Sequence, residues 1–258
     1  MLDDKKINAQ LITGAPPVVC VNQVTSTNSV LRERLATGDE PHVLVANEQT
    51  QGRGRRGRRW LSPRDAGLYL SYPYVTERPT ATLGTLGLVV ATALATAIPA
   101  PLQVKWPNDL VIVRNDQLAK VGGCLIEMTL NPHPPHVAIC GIGINWALKD
   151  VIDSGAMAPD QAWADLPSTQ DKEALVANLV NQLHEDLALF TAQGFEAFRG
   201  RWRAVHVLMD QTVQVHESGK TPFVGLAGDV NELGQLAVST DSGIEWVTAA
   251  DVSIRPNH

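Results

Sequence analysis

Cysteine is scarce in this chain: three residues in 258, at Cys20, Cys124 and Cys140, each in an apolar stretch far from the others. That usage fits neither a disulfide framework nor a Cys-x-x-Cys metal or redox motif. Charged residues make up only 19% of the sequence against 44% hydrophobic, the balance of an ordinary globular chain rather than a disordered one. Positive charge is in deficit, and a net charge of −6 argues against a protein that coats nucleic acid. The N-terminus carries Asp3 and Asp4 where a secretory signal needs a basic end before an apolar run, so a reduced, cytoplasmic protein is expected. His133 and His136 are spaced as in some metal sites. Prolines surround them and no Cys or carboxylate is near, so no metal centre is expected there.

Pro79 to Gln103 contains no charged residue and is long enough to span a bilayer. Pro79, Pro99 and Pro101 break it, however, and Leu83, Leu86, Val90, Leu94 and Ala97 recur at helical spacing. The pattern predicts a buried core helix and no membrane partner. Before it, the sequence predicts a strand over 18–24, a helix capped within Thr25-Ser26-Thr27-Asn28 and carrying Leu31 and Leu35, and strands over 43–46 and 68–74. After it, Trp106-Pro107 interrupts an apolar run over 104–113, so an uninterrupted strand is expected only beyond Pro107. Residues 114–117 read as a polar turn, and 121–130 and 137–145 as strands. Lys172 to Gln193 is the clearest amphipathic helix, with Leu175, Leu179, Leu183 and Leu187 at i,i+4 and Gly194 as terminator. Beyond Val207 short apolar runs alternate with glycine-containing turns, which predicts a small all-β unit. Two domains are therefore expected, 1–207 and 208–258.

The most informative stretch is Gly52-Arg-Gly-Arg-Arg-Gly-Arg-Arg-Trp60, with five arginines and three glycines in nine residues of an acidic protein. Glycines allow close backbone approach to a ligand, and guanidiniums are forked donors suited to phosphate or carboxylate. Taken alone, the loop is equally compatible with a small-molecule phosphate site, a solvated basic loop or a nucleic-acid patch.

Its surroundings narrow the choice. Thr25-Ser26-Thr27-Asn28, Glu48-Gln49 ahead of the basic loop, Leu68-Tyr69-Leu70-Ser71, Lys105-Trp-Pro-Asn-Asp109, Lys120-Val-Gly-Gly-Cys-Leu-Ile-Glu127 and Gly141-Ile-Gly-Ile-Asn145 follow in order. This series, over roughly residues 18 to 256, resembles the biotin–protein ligases. The resemblance implies an α+β fold of the class II synthetase and biotin ligase type: a mixed, largely antiparallel sheet with helices on one side, then an SH3-like β-barrel. It implies a ligase that uses ATP to convert biotin to biotinyl-5′-AMP and passes it to a lysine of a biotin carboxyl carrier domain, with Mg²⁺ accompanying ATP and no permanently bound cofactor. A lipoate ligase or lipoyl transferase is the alternative within enzymes; it lacks the Gly52–Gly57 pattern in this form.

The same resemblance assigns residues. Ser26, Thr27, Asn28 and Gln49 would face the ureido ring of biotin, since a buried urea needs partners for its N–H and carbonyl groups. Gly52, Tyr69 and Gly123 would line that pocket. Lys120, Arg53 and Arg55 would act on the carboxylate and phosphate during the reaction. Arg55, Trp60, Lys105, Asn108 and Asn145 would hold the nucleotide, and Asp109 would face Mg²⁺. Bland readings stand beside these: helix capping for Ser26 to Asn28, a surface amide for Gln49, a core aromatic for Tyr69, close strand packing for Gly141 and Gly143. Glu127 is equally compatible with a structural and a functional role. Cys124 replaces a usual aliphatic residue. No space precedes Val18 for the DNA-binding domain that some members carry, so DNA is not an expected partner; a monomer or weak homodimer is.

Overall fold

The computed structural model describes residues 2–114, 117–131, 133–153, 162–167, 171–217, 221–249 and 252–256. Seven strands, β1 (Val18–Val21), β2 (Val43–Ala46), β3 (Gly67–Thr76), β4 (Gln103–Lys105), β5 (Asp109–Arg114), β6 (Gln117–Thr129) and β7 (His136–Asn145), form one sheet in the order β1-β2-β3-β7-β6-β5-β4. Only β1 and β2 run parallel; the other pairs are antiparallel. The helices are α1 (Asp4–Asn8), α2 (Thr27–Ala36), α3 (Leu86–Ala97), α4 (Leu148–Asp153), α5 (Lys172–Gln193) and α6 (Arg199–Val205).

As expected, Trp106-Pro107 interrupts strand structure: β4 stops at Lys105 and the uninterrupted strand β5 runs beyond Pro107. Val104 pairs with Leu110 on either side of it, so the dipeptide sits in a hairpin between β4 and β5. The expected turn at residues 115–116 lies outside the described residues.

One sheet face holds the core. Leu68, Leu70 and Tyr72 of β3 and Cys140, Ile142 and Ile144 of β7 point to α3 and α5, and all belong to one buried cluster. The 80–97 segment is apolar enough to cross a membrane by length and composition. Here α3 is inside the protein, with Leu86, Val89, Val90 and Leu94 fully buried. At roughly 1.5–3 kcal/mol for each large aliphatic side chain, that burial accounts for its composition.

The helices were expected on one side of the sheet, and α2 corrects that. It lies on the opposite face, where Leu31 packs on Leu44 and Ile139. Tyr69, Ser71, Gly141, Gly143 and Gly123 share this second face by strand alternation.

The C-terminal strands β8 (Thr212–Glu217), β9 (Phe223–Val230), β10 (Leu236–Thr240), β11 (Gly243–Val247) and β12 (Val252–Pro256) form an antiparallel sheet in the order β11-β10-β9-β8-β12. Among the described residues β11 and β12 do not pair with each other, so closure into the expected barrel is not seen. This sheet shares its core with the first: Val213, Val238 and Val247 belong to the cluster that contains α3 and α5. Trp106 Nε1 donates to the Gly234 carbonyl at 3.0 Å, and a Cβ on Gly84 would lie 2.6 Å from the Leu233 carbonyl oxygen.

At the junction His206 is 4% exposed, stacks on Trp202 with centroids 4.5 Å apart, and places Nδ1 3.4 Å from the Val104 carbonyl. Burial pushes its pKa down from 6.5 to about 4. Between those values the unfolded chain binds a proton that the folded chain excludes, so stability falls as pH drops through 6.5 towards 4. His206→Phe should make the urea midpoint less dependent on pH between 7 and 5. Equal slopes for variant and wild type would contradict this.

Candidate functional site

On the second face, β6 departs from regular alternation. Leu110 pairs with Gly122 but Val111 with Lys120, so Val121 is an extra residue. Lys120 and Gly123 are three apart and would project to opposite faces of a regular strand. The bulge brings them together. A Cβ on Gly123 would lie 3.6 Å from Lys120 Cε and 3.4 Å from Asp109 Oδ1. Lys120 Nζ sits 2.6 Å from Asp109 Oδ1, both side chains mostly buried. The backbone at Lys120 is clamped too: its N–H donates to the Ala162 carbonyl and its carbonyl accepts from the Ala164 N–H, each at 2.9 Å. Asn145 Nδ2 donates to the carbonyls of Lys120 and Ala164 at 3.3 and 3.2 Å. Asn145 therefore steadies the lysine's backbone, a role its assignment to the nucleotide did not anticipate.

A second group lies at the start of α2. Ser26 occupies the N-cap, but its side chain makes no capping bond. Gln49 caps the helix from another segment, its Oε1 accepting from Thr27 N at 2.9 Å and Thr27 Oγ1 at 3.1 Å, while its Nε2 donates to Ser62 Oγ at 2.8 Å. Gln49 is thus no loose surface amide. Asn28, 4% exposed, accepts from Ser71 Oγ at 2.5 Å and donates to Glu127 Oε2 at 2.7 Å. A Cβ on Gly141 would lie 2.3 Å from Asn28 Oδ1, so glycine there admits this amide.

The basic loop folds back as a short hairpin in which Arg53 bridges Arg59 and Trp60 N donates to the Gly52 carbonyl at 2.9 Å. Arg53 Nη2 donates to Glu127 Oε2 at 2.8 Å. Arg55 Nη1 donates to Asn108 Oδ1 at 3.0 Å and Nη2 to the Ala249 carbonyl. Burial, and then the neighbouring Arg56, lower the pKa of Arg55. A guanidinium taken out of water in this way gains from an incoming anion. Arg55 also lines a cavity of about 430 Å³ with Gly87, Asn108, Cys124, Leu233 and Ala249. The Trp60 indole lies in a trough over β7: a Cβ on Gly143 would fall 2.4 Å from its Nε1. Lys120 Nζ is 5.3 Å from the indole centroid, within cation–π range.

Tyr69 is 1% exposed and donates its hydroxyl to the Pro63 carbonyl at 3.0 Å, on the same face as Gly143. Lys105 pairs with Asp109 across the β4–β5 hairpin. The structure thus brings Lys120, Asp109, Gly123, Trp60 and Asn145 together, sets Thr27, Asn28 and Gln49 in a second group at the start of α2, and places Arg55 with Asn108 at a cavity beside α3. Sequence reading gave no role to Ser62, whose hydroxyl holds Gln49, or to Ala249, which takes part only through its backbone carbonyl, and left Glu127 undecided. No cluster of three metal-binding side chains occurs among the described residues.

A model of the biotin/lipoate A/B protein ligase family matches residues 19–145. The chain is also 32% identical, over 99% of its length, to the bifunctional ligase/repressor BirA of Salmonella typhimurium, 79% of which it covers. It belongs to the biotin/lipoate A/B protein ligase family. Within that family the ligase is 30% identical over 97% of its length to the biotin–[acetyl-CoA-carboxylase] ligase of Mycobacterium tuberculosis, covering 95% of that protein. Its fold matches the biotin protein ligase of Aquifex aeolicus in complex with biotin and ATP, with a TM-score of 0.70, 26% identity and coverage of 93% and 99% of the two chains.

The trough contact in this ligase can be tested alone. Gly143→Ala should expel the indole and red-shift Trp60 emission, read as the difference between Gly143→Ala spectra with and without Trp60→Phe. A difference spectrum equal to that of the wild-type pair would contradict the contact.

Proposed function

We propose that the ligase activates biotin with ATP and transfers it to a lysine of a biotin carboxyl carrier domain in the cytoplasm. Residues 1–207 form the catalytic unit in this reading. In the first step a biotin carboxylate oxygen attacks the α-phosphorus of ATP, and the bond to pyrophosphate breaks. In the second, the neutral amine of the acceptor lysine attacks the acyl carbon of biotinyl-5′-AMP; AMP leaves and the amine loses a proton.

Lys120, held by Asp109 beside the trough over Gly143 that the arginine-bearing loop crosses with Trp60, carries this reading. Two anions must meet in the first step, and negative charge builds on the nonbridging oxygens. A fixed ammonium beside both offsets that repulsion most at the transition state. Lys120 is held at 2.6 Å by Asp109, so its direction is set before substrate arrives. Ser26, Thr27 and Asn28 offer buried polar atoms for the ureido ring, the half-buried Gln49 completes that polar end, and Tyr69 gives the pocket a wall. Arg55, Trp60, Lys105 and Asn108 lie towards the nucleotide. One carboxylate suits an ion held chiefly by substrate phosphates and water, so Asp109 would face Mg²⁺ brought with ATP, which would supply charge neutralisation.

The direct test is transfer of biotin to a purified carrier domain in the presence of ATP. Lys120→Ala should slow pyrophosphate release by roughly 100- to 1000-fold, the usual scale for loss of a transition-state donor. An unchanged rate would remove Lys120 from this role.

A further inference from the structure

We propose that Glu127 is a positioning residue that latches the arginine–glycine loop to the acid-binding end of the site. The proposal rests on the biotin reading above. Glu127 projects from β6 onto the site face, opposite Ile139 of β7. Its Oε2 accepts two charge-relevant contacts, from Asn28 Nδ2 at 2.7 Å and from Arg53 Nη2 at 2.8 Å. Its Oε1 lies 3.8 Å from Nη1 of Arg32, on the helix that begins with the acid-binding residues.

Two consequences follow from one carboxylate. The first concerns Asn28. Its amide nitrogen donates to Glu127 and, at 3.4 Å, to the Leu125 carbonyl, while its oxygen accepts from Ser71. A carboxylate accepts only, so it fixes which way round the Asn28 amide lies, and therefore which atom is offered to a ligand. The second concerns the loop. Arg53 and Arg55 are two apart and leave the loop in different directions, Arg53 to Glu127 and Arg55 to Asn108 and Ala249. The loop is thus tied at the acid end by one arginine and at the nucleotide end by the other. Opening it over the acid requires breaking the Arg53–Glu127 pair, whose side chains are 39% and 22% exposed, so the latch is firm but readily reversible.

The test uses the full chain and three variants: Glu127→Gln, Arg53→Gln and the double variant. Two rates are read: escape of biotinyl-5′-AMP from its complex, and trypsin cleavage within residues 55–59 of the ligand-free protein. Each single variant should raise both by roughly fivefold, the scale of a partly exposed charge pair, and the double variant should be no faster than either single. Glu127→Gln should also raise the KM for biotin more than Arg53→Gln does, because only it disturbs Asn28. A general loss of structure would instead lower the thermal midpoint and make the effects additive. Additive rates, or unchanged escape in Glu127→Gln, overturn the latch. A wild-type protein that forms no adenylate overturns the latch together with the ligase reading, whereas retained adenylate with additive variants overturns the latch alone. If Glu127→Gln does not fold, Arg53→Gln decides by cleavage: an unchanged rate overturns the proposal.

Discussion

The Lys120–Asp109 ion pair is the contact from which the rest of the site takes its bearings. On the function proposed above, a chain of net charge −6 brings two anionic substrates together, which asks for positive charge concentrated and held still at one point. A flexible surface lysine would lose its side-chain freedom at the moment of reaction. Here the bulge at Val121 chooses the face, the 162–164 segment clamps the backbone and Asp109 holds the ammonium. Asp109 in turn is placed by the hairpin around Trp106-Pro107, and Trp106 is anchored to Gly234 in the turn between β9 and β10 of the second sheet. The C-terminal sheet therefore supports the element that supplies the lysine's partner.

Close approach is the second theme. Gly143 and Gly141 leave room for the Trp60 ring and the Asn28 amide directly against the sheet. A side chain at Gly143 would displace the Trp60 ring, and one at Gly141 would displace the Asn28 amide. The basic loop crosses this surface with Arg53 and Arg55 fastened at opposite ends, so an opening motion can begin at one end while the other stays attached.

Much of this was legible in the sequence because it rests on local pattern. The i,i+4 leucines give α5 with the bounds expected, Lys172–Gln193, and the apolar run gives a core helix because its composition cannot be satisfied at the surface. The ordered motifs name most of the residues that converge. What was not legible depends on register and on contacts between distant segments. The Val121 bulge, which makes Lys120 and Gly123 face the same way, follows from pairing with β5 and has no mark in the letters. Ala249 meets Arg55 through a backbone carbonyl, which every residue possesses. Glu127 stays ambiguous until Asn28 and Arg53 arrive from far away in the chain. The side of the sheet taken by α2 is likewise set by tertiary packing of Leu31, a residue that either face would accept.

The account of this site as one that activates biotin is tested most directly by ATP–pyrophosphate exchange with the purified wild-type protein, comparing biotin and lipoate as the acid. Exchange that requires biotin and is far slower with lipoate is the predicted result. Exchange absent with biotin, or equally fast with both acids, would contradict the account.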